Sequence, residues 1–249
     1  MDESPSTSRP ADDDTATDAG AEELIDATEP ATSVRGSGVP PVVIVLVTRD
    51  RGPRLVETLQ SIEDQEYANL SVLVVDAGSE EDPAQLVAET LTAAFVRRAG
   101  DVGWAEAANS VIGSVEGAAF LLFLHDDVAL GPGTVQAMVE EAFRANAGIV
   151  GPKLVEWDDP DVLSSIGMSV DRFGFSWPIA EPGELDQSQH DAAREVFSIS
   201  GAALLIRADL FADLGGFSTD IDGACEDLDL CWRAKVAGGR TVIMPAARV

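Results

Sequence analysis

The stretch Val42-Val43-Ile44-Val45-Leu46-Val47 follows two prolines and leads directly into the polar residues Thr48-Arg49-Asp50. Six consecutive apolar residues, five of them β-branched, predict a strand that is buried on both faces, as in a parallel sheet. Beyond the loop, Leu55, Leu59 and Ile62 recur on one face of a predicted helix. This order of strand, polar loop and helix is typical of an α/β unit.

Strands and helices are predicted to alternate along the rest of the chain. Further strands are expected at 70–75, 94–96, 119–124 and 241–244, and helices at 53–64, 83–92, 104–115, 132–145 and 208–214. A last helix carries Glu226 and Asp227 near its start, and Gly238-Gly239 closes it. The alternation predicts an α/β, Rossmann-like fold, with a mostly parallel central sheet flanked by helices.

The composition divides the chain into two parts. Residues 1–38 consist mainly of Asp, Glu, Ser, Thr, Ala, Pro and Gly. Such a segment cannot bury enough apolar surface to fold, so we expect a disordered acidic N-terminal tail there. Residues 39–249 are expected to form the folded domain. Within it, 156–195 is rich in Asp, Pro, Gly and Ser, and we expect a long functional loop or acceptor-side insertion.

The charge balance excludes some classes of partner. Lys and Arg number 16 and Asp and Glu 44, which gives a net charge of -28. Binding to nucleic acid or to anionic lipid rests on clustered cations, so we expect no nucleic-acid partner. The two cysteines, Cys225 and Cys231, are expected to be reduced thiols. Because the acidic N-terminus has no apolar signal segment, we expect a cytoplasmic protein.

The adjacent acids Asp126 and Asp127 follow the predicted strand at 119–124, and His125 precedes them. Two neighbouring carboxylates without a nearby cation repel each other, and a divalent cation relieves that repulsion. Mg²⁺ and Mn²⁺ prefer carboxylate oxygens and share their other positions with water and substrate phosphate. The pair therefore predicts a metal site, with a solvated turn as the alternative. His125 is a ligand, a residue that orients a ligand, or a bystander.

A second acidic pair, Glu226-Asp227, opens the last predicted helix and has glycines at 215, 216 and 223 around it. The helix dipole favours ionised carboxylates at this end. An ionised carboxylate suits a general base that takes a proton from a hydroxyl nucleophile. The alternative is a charge that only stabilises the start of the helix.

Two common phosphate-binding motifs are missing from the sequence. No G-x-G-x-x-G follows the first strand, and no P-loop occurs. An acidic protein that binds a polyphosphate without them needs another means of neutralising it, which a metal on Asp126-Asp127 would supply. These patterns together indicate metal-assisted transfer from a nucleotide-activated donor.

Residues 41–249 resemble the family-2 inverting glycosyltransferases with the GT-A fold. The segments that carry the resemblance occur in the family's order: Val-Leu-Val-Thr48-Arg49-Asp50; Val-Val-Asp76-Ala-Gly-Ser79; Asp101-Val-Gly103-Trp-Ala-Glu-Ala-Ala108-Asn109; Leu-His125-Asp126-Asp127-Val; Ser200-Gly201-Ala-Ala-Leu-Leu-Ile-Arg207; Gly215-Gly216-Phe217; and Glu226-Asp227-Leu-Asp229-Leu-Cys-Trp-Arg233. Two positions depart from the family pattern. Asp101 replaces the usual Asn, and His125 stands at the first acidic position of the D-x-D metal motif.

The resemblance implies how a nucleotide-sugar donor would be bound. Asp76 would contact the nucleotide base, and Thr48 and Asn109 would help to form the nucleotide pocket. Asp126 would face the nucleotide sugar.

The resemblance also implies the metal ligands and the catalytic residues. Asp127, together with Asp126, would hold Mn²⁺ or Mg²⁺ against the donor diphosphate, with His125 as a further candidate ligand. Asp227 would deprotonate the acceptor hydroxyl, and Glu226 would orient the acceptor.

The implied reaction is a single in-line displacement that inverts the anomeric carbon. It would move a hexosyl or deoxyhexosyl group from a nucleotide-diphosphate-sugar donor to a hydroxyl of a glycan or lipid-linked acceptor, in cell-envelope polysaccharide synthesis. Two other functions stay open: a catalytically silent binding or scaffold domain, and a sugar nucleotidyltransferase.

The resemblance carries expectations about the surroundings of the domain as well. Family members often have a metal-binding His shortly after the position of Val249, so we expect a domain that continues beyond it. Membrane association is expected through regions outside this chain, at the inner face of the plasma membrane. The loop at 156–195 is expected to shape acceptor choice, with Trp177 as a stacking platform or as a core or interface residue.

Overall fold

The computed structural model describes residues 38–50, 52, 54–221 and 225–249. The tail expected over 1–38 therefore lies outside the described residues, apart from Gly38. The described part contains eleven strands and six helices. The strands are β1 (Val42–Thr48), β2 (Leu70–Asp76), β3 (Phe95–Arg98), β4 (Phe120–His125), β5 (Ile149–Val155), β6 (Leu163–Ser165), β7 (Met168–Val170), β8 (Ser176–Pro178), β9 (Arg194–Glu195), β10 (Ala203–Arg207) and β11 (Thr241–Arg248). The helices are α1 (Leu55–Glu63), α2 (Ala84–Thr90), α3 (Trp104–Asn109), α4 (Thr134–Arg144), α5 (Ala208–Asp213) and α6 (Glu226–Val236).

Nine of these strands form one sheet in the order β3-β2-β1-β4-β10-β5-β11-β9, with β6 paired to β5 off this path. Strands β1 to β4 run parallel, and β5 runs parallel to β11. β10 lies between β4 and β5 and runs antiparallel to both. The predicted α/β fold with a mostly parallel central sheet is confirmed. The strand inside the sheet that breaks the parallel arrangement is β10.

The core lies on both faces of the sheet, as the apolar run of β1 predicts. Ile44 and Leu46 pack on one face with α1, α2 and α4, whereas Val45 and Val47 pack on the other with α3, α5 and α6. Successive side chains of a strand point to opposite faces, so a strand covered on both sides is apolar at every position. In the described part of the chain, no helix combines the length and the apolar character needed to cross a membrane.

Helix α3 is shorter than the sequence predicts. It ends at Asn109 rather than at 115. The chain then forms turns up to Gly117, and both Gly113 and Gly117 have positive φ angles, of 77° and 81°. Left-handed glycines end a helix, and the helical spacing of the apolar residues gave no sign of this.

The segment at 156–195 contains four short strands, where the sequence predicts irregular structure. β6 pairs with β5 and β9 pairs with β11, while β7 and β8 form a separate two-stranded hairpin. The larger sheet supplies the hydrogen-bonding partners of β6 and β9, so their own sequence carries little strand signal.

A buried cation fixes this segment to the sheet. Lys153 on β5 is buried, and its Nζ lies 3.0 Å from both carboxylate oxygens of Asp186 and 2.6 Å from Oδ1 of Asp191. A buried ammonium group is tolerated only when it is paired and hydrogen-bonded. The hydrogen bond from Lys153 lowers the pKa of Asp186. The pairs tie residues 186–191 to the end of β5.

The two thiols differ in their surroundings, although both are free. Cys225 is exposed directly before α6, whereas Cys231 is buried under that helix. Burial raises the pKa of the Cys231 thiol to about 12. Cys231 is therefore a core residue, and Cys225 is the thiol that solvent reaches.

Glu184, in the segment at 156–195, makes the stability of the fold depend on pH. Hydrogen bonds from the side chain of Gln189, the backbone N–H of Glu181 and the ring of His190 lower its pKa to about 2. A carboxyl with a lower pKa in the folded protein stabilises the fold above its unfolded-state pKa, and this stabilisation is lost as the pH falls toward the folded-state pKa. We therefore expect Glu184 to stabilise the fold above about pH 4.5, and the free energy of unfolding to fall between about pH 4.5 and 2.

Urea unfolding of the wild type and of Glu184→Gln over this pH range would measure the effect. In the variant, the free energy of unfolding should fall less steeply between about pH 4.5 and 2. Glu181→Gln is the matched control, because Glu181 bonds Glu184 only through its backbone N–H and carbonyl groups. An unchanged slope in Glu184→Gln would contradict the assignment.

Candidate active site

Three of the predicted loops meet at one edge of the sheet. β1 lies between β2 and β4, and all three run parallel, so their carboxyl ends share that edge. Thr48 pairs directly with Asp76 across β1 and β2, and Val47 pairs with His125 across β1 and β4. Ligands of open α/β sheets bind at such an edge.

The carboxylate of Asp126 is held by the end of β1. The buried hydroxyl of Thr48 donates to Oδ2 of Asp126 at 2.7 Å, and the backbone N–H of Arg49 approaches the same oxygen at 3.4 Å. On α1, the hydroxyl of Thr58 donates to the Asp126 backbone carbonyl at 3.1 Å. These bonds fix the direction of one carboxylate oxygen and leave the other free of protein partners in the described part of the chain.

Asp76 is buried and rigidly oriented at the end of β2. Its Oδ1 accepts hydrogen bonds from the backbone N–H of Ser79 at 2.9 Å and from the Ser79 hydroxyl at 2.6 Å. Gly78 has a φ of 96°, and a Cβ there would lie 2.7 Å from the Cα of Asp101. Only glycine allows the two loops to approach so closely. Asp76, Gly78 and Ser79 line a cavity of about 240 Å³ with Arg98.

A neighbouring cavity of about 180 Å³ is lined by Thr48, Arg49, Trp104, His125 and Asp126, among others. The rings of Trp104 and His125 lie 5.0 Å apart between centroids. The indole Nε1 of Trp104 is buried and bonds no partner within the described residues. Arg49 forms an ion pair with Asp101.

Arg49 and Trp104 were not among the predicted site residues. Each stands inside a motif that sequence analysis quoted, and that position was the available signal. A cation and an unpaired indole N–H next to Asp126 are suited to anionic and hydrogen-bond-accepting groups of a ligand.

Asp227 is positioned by the segment that precedes β10. The backbone N–H of Gly201 donates to its Oδ2 at 2.8 Å, and the N–H of Leu228 donates to its Oδ1 at 2.7 Å. The adjacent Ala202 carbonyl accepts the N–H of His125 at 3.0 Å. The segment 201–202 therefore joins the first turn of α6 to the end of β4, and brings the second acidic pair to the same edge as the first.

Glu226 lies beside Asp227 in the first turn of α6 and is half-buried. Its carboxylate makes no hydrogen bond to another described residue. It is therefore free to bind a ligand.

Asn109 lies apart from the two cavities. Its Nδ2 donates to the Phe217 carbonyl at 2.8 Å, and its Oδ1 accepts the Phe217 N–H at 2.8 Å. The paired bonds clamp the end of α3 to the Gly216-Phe217 turn. The structure therefore gives Asn109 a contact with protein backbone, where the resemblance implied a place in the nucleotide pocket.

The acids at the end of β4 suit a hard divalent cation, although they do not form a complete site. Asp127 is exposed and bonds no other described residue, and one oxygen of Asp126 is free. The ring of His125 packs on Trp104. Among the described residues, no group of three or more His, Cys, Asp or Glu side chains is arranged to hold a metal. Two carboxylates with open sides fit Mg²⁺ or Mn²⁺ when water and a diphosphate complete the coordination.

Comparison with known proteins gives sequence relatives along most of the domain. The model of the family described as "Glycosyltransferase like family 2" matches residues 40–249. The N-acetylglucosaminyl-diphospho-decaprenol L-rhamnosyltransferase of Mycobacterium tuberculosis is 29% identical over 228 residues, which cover 83% of this chain and 74% of the relative. The O-antigen biosynthesis protein RfbC of Myxococcus xanthus is 27% identical over 222 residues, covering 85% of this chain and 17% of that protein.

Solved structures share the fold at low sequence identity. S. aureus TarS matches with a TM-score of 0.61 at 16% identity, over 84% of this chain and 60% of that one. GalNAc-T7 with UDP, GalNAc and Mn²⁺ matches with a TM-score of 0.67 at 14% identity, over 86% of this chain and 43% of that one. The mannosyltransferase PcManGT of Pyrobaculum calidifontis, in complex with GDP-Man and Mn²⁺, matches with a TM-score of 0.61 at 20% identity. The match covers 85% of this chain and 57% of that one. These likenesses show that the fold is GT-A.

Proposed function

Because the chain belongs to glycosyltransferase family 2, we propose that it moves a sugar from a nucleotide-diphosphate donor to a hydroxyl of a glycan or lipid-linked acceptor, with inversion at the anomeric carbon. The observation that carries the proposal is the meeting of two acidic pairs at one sheet edge. Asp126 is held by Thr48, and Asp227 is held by Gly201, whose neighbour Ala202 bonds the end of β4.

The donor would occupy the cavities at the ends of β1, β2 and β4. Asp76 would accept a hydrogen bond from the nucleotide base, because its fixed carboxylate can accept and lacks a donor in its ionised form. Arg49 and the Trp104 indole would contact polar groups of the nucleotide or of the diphosphate. Asp126 and Asp127 would hold Mn²⁺ or Mg²⁺, which when bound offsets the charge of the diphosphate leaving group.

Asp227 would act as the general base. Its two oxygens are held by the backbone N–H groups of Gly201 and Leu228, so the carboxylate keeps its direction when the acceptor binds. It would take the proton of the acceptor hydroxyl as that oxygen attacks the anomeric carbon and the bond to the diphosphate breaks. Glu226, whose carboxylate is free, would orient the acceptor.

The sequence relatives suggest where such a transfer would take place. One is named for rhamnosyl transfer to an N-acetylglucosaminyl-diphospho-decaprenol, and another for O-antigen biosynthesis. We extend this to a lipid-linked acceptor and to cell-envelope polysaccharide synthesis at the cytoplasmic face of the plasma membrane.

Calorimetric titration with UDP, GDP and dTDP, each with Mn²⁺ and again with EDTA, tests the donor site. We expect one nucleotide to bind in the presence of metal, and the affinity to fall at least about tenfold in EDTA, or about 1.4 kcal/mol. Asp127→Ala should show the same loss with metal present, because it removes the exposed carboxylate.

Asp213→Ala is the matched control for this titration. Asp213 is an exposed acid in α5, which follows the far end of β10, and its loss should leave nucleotide binding unchanged. If no nucleotide binds, the proposed donor site is wrong. If binding is equal in EDTA, the proposed metal role is wrong.

A further inference from the structure

The hairpin of β7 and β8 carries a cluster of exposed aromatic side chains. Phe173, Phe175 and Trp177 are 70%, 65% and 59% exposed. Phe175 and Trp177 are two residues apart in an extended segment, so their side chains lie on the same face. We call residues 172–178 the aromatic tip. Exposed large apolar side chains at adjacent positions mark a surface that binds something.

Part of the backbone of the tip is hydrogen-bonded within the hairpin. Oδ1 of Asp171 accepts the N–H groups of Phe173 at 2.8 Å and Phe175 at 3.0 Å. The N–H of Asp171 bonds the Phe175 carbonyl at 2.9 Å, and that of Gly174 bonds the Asp171 carbonyl at 3.1 Å. Burial of a hydrogen-bonded backbone in an apolar phase costs far less than burial of an unpaired one. These bonds lower the cost of moving this part of the backbone out of water.

The charge of the tip also differs from that of the chain. From Arg172 to Ala180 the sequence contains one cation and no acid, between the flanking acids Asp171 and Glu181, whereas the whole chain has 44 acids and a net charge of -28. The Arg172 guanidinium lies 4.6 Å from the centre of the Phe173 ring. An aromatic group with one flexible cation matches the boundary between lipid headgroups and acyl chains, where rings lie at headgroup depth and long cations reach outward.

A carbohydrate surface fits the tip less well. Sugar sites combine an aromatic platform with polar groups that bond the sugar hydroxyls. Phenylalanine rings have no such group, Trp177 offers only its indole N–H, and Oδ1 of the nearby Asp171 carboxylate is used within the turn.

The base of the hairpin is hydrogen-bonded to the segment that follows β9. Met168 donates its N–H to the Ser198 carbonyl at 2.8 Å and accepts the N–H of Phe197 at 2.9 Å. Three residues after Ser198 comes Gly201, whose N–H holds Asp227. The base of the hairpin is therefore bonded to the segment that leads to Gly201, the residue that holds Asp227.

We propose that the aromatic tip inserts into the membrane interface and holds the site above a lipid-linked acceptor. The role of this contact in reaching the acceptor rests on the proposed function. The membrane contact itself does not require sugar transfer. It comes from residues within this chain.

Vesicle flotation of the purified chain tests the contact. We expect the protein to float with phosphatidylcholine vesicles, and to float less with vesicles that also contain phosphatidylglycerol, because the acidic chain is repelled by anionic lipid. Added salt should restore flotation with the phosphatidylglycerol vesicles, because it screens the repulsion. In the triple variant Phe173→Ser/Phe175→Ser/Trp177→Ser, partition should fall roughly tenfold or more, since three apolar rings are removed.

Phe143→Ser is the matched control, because Phe143 on α4 is 63% exposed and does not belong to the tip. It should float like the wild type. A second readout uses brominated phosphatidylcholine, which quenches indoles that enter the bilayer. Quenching should be seen in the wild type and lost in Trp177→Phe, which keeps an apolar ring at that position.

Three results would overturn the proposal: no flotation of the wild type, equal flotation of the triple variant, or binding only to anionic vesicles that salt releases. A triple variant that floats normally but loses binding to a soluble oligosaccharide would make the tip a sugar platform instead. None of these results changes the nucleotide titration, so failure of the tip and failure of the donor site are distinguishable.

Discussion

Asp227→Asn is expected to lower the rate of sugar transfer by about 10²–10⁴-fold, the usual contribution of a general base. The amide keeps an oxygen that can accept the Gly201 N–H, now bonded at 2.8 Å, so the local structure should persist. It cannot take the proton of the acceptor hydroxyl, because an amide is not a base at neutral pH. Donor affinity should be unchanged, since the residues proposed for the donor lie at the ends of β1, β2 and β4.

Acceptor-dependent release of the nucleoside diphosphate measures this effect, with an N-acetylglucosaminyl-diphospho-lipid analogue as the first acceptor to try. Asp229→Asn is the control, because Asp229 lies on the same helix and pairs with Arg233 at 2.7 Å. It should keep transfer within a few-fold of the wild type. Undiminished transfer in Asp227→Asn would remove Asp227 from the role of base.

Gly216→Ala is expected to destabilise the fold by about 3 kcal/mol. Gly216 has a φ of 79°, where an L-residue costs roughly 1 kcal/mol. A Cβ there would overlap Oδ1 of Asn109 and lie 2.8 Å from Cδ1 of Ile112. Relieving such an overlap costs a further 1–3 kcal/mol or so. It would also disrupt the paired bonds between Asn109 and Phe217.

The neighbouring Gly215 separates the two causes. It has a nearly equal φ of 75°, but a Cβ there would have no atom within 4 Å. Gly215→Ala should therefore cost only about 1 kcal/mol, from backbone strain alone. Urea unfolding of both variants measures the difference. Equal costs would mean that the contact with Asn109 contributes nothing to the stability of the turn.

The fold could be predicted where a single strand carries its own signal. β1 is apolar from Val42 to Val47 because helices cover both faces of the sheet, and that pattern is visible in those six residues. The direction of β10 could not be predicted, because an apolar strand has the same composition in either direction. The early end of α3 coincides with the clamp of Asn109 on Phe217, which joins residues far apart in sequence.

The candidate site could be predicted only in part, for a related reason. Polar residues after buried strands mark the edge, and the resemblance named Thr48, Asp76 and Asp126, which the structure brings together. The bond between Gly201 and Asp227 is a tertiary contact with no local signature. The ion pairs between Lys153 and the segment 186–191 could not be predicted either, because a lone Lys in an apolar run does not indicate its partners. The roles assigned to the site residues stay predictions.

The antiparallel strand β10 has a consequence for the order in which the molecule assembles. It pairs with β4 on one side and with β5 on the other, so the sheet stays in two pieces, β3-β2-β1-β4 and β5-β11-β9, until residues 203–207 are seated. Closing the long loop from β4 to β10 is entropically costly and therefore slow. Until then β4, apolar from Phe120 to Leu124, presents an unpaired edge to other chains. Aggregation during refolding would begin at that edge, and a nascent chain is protected from it only once β10 has left the ribosome.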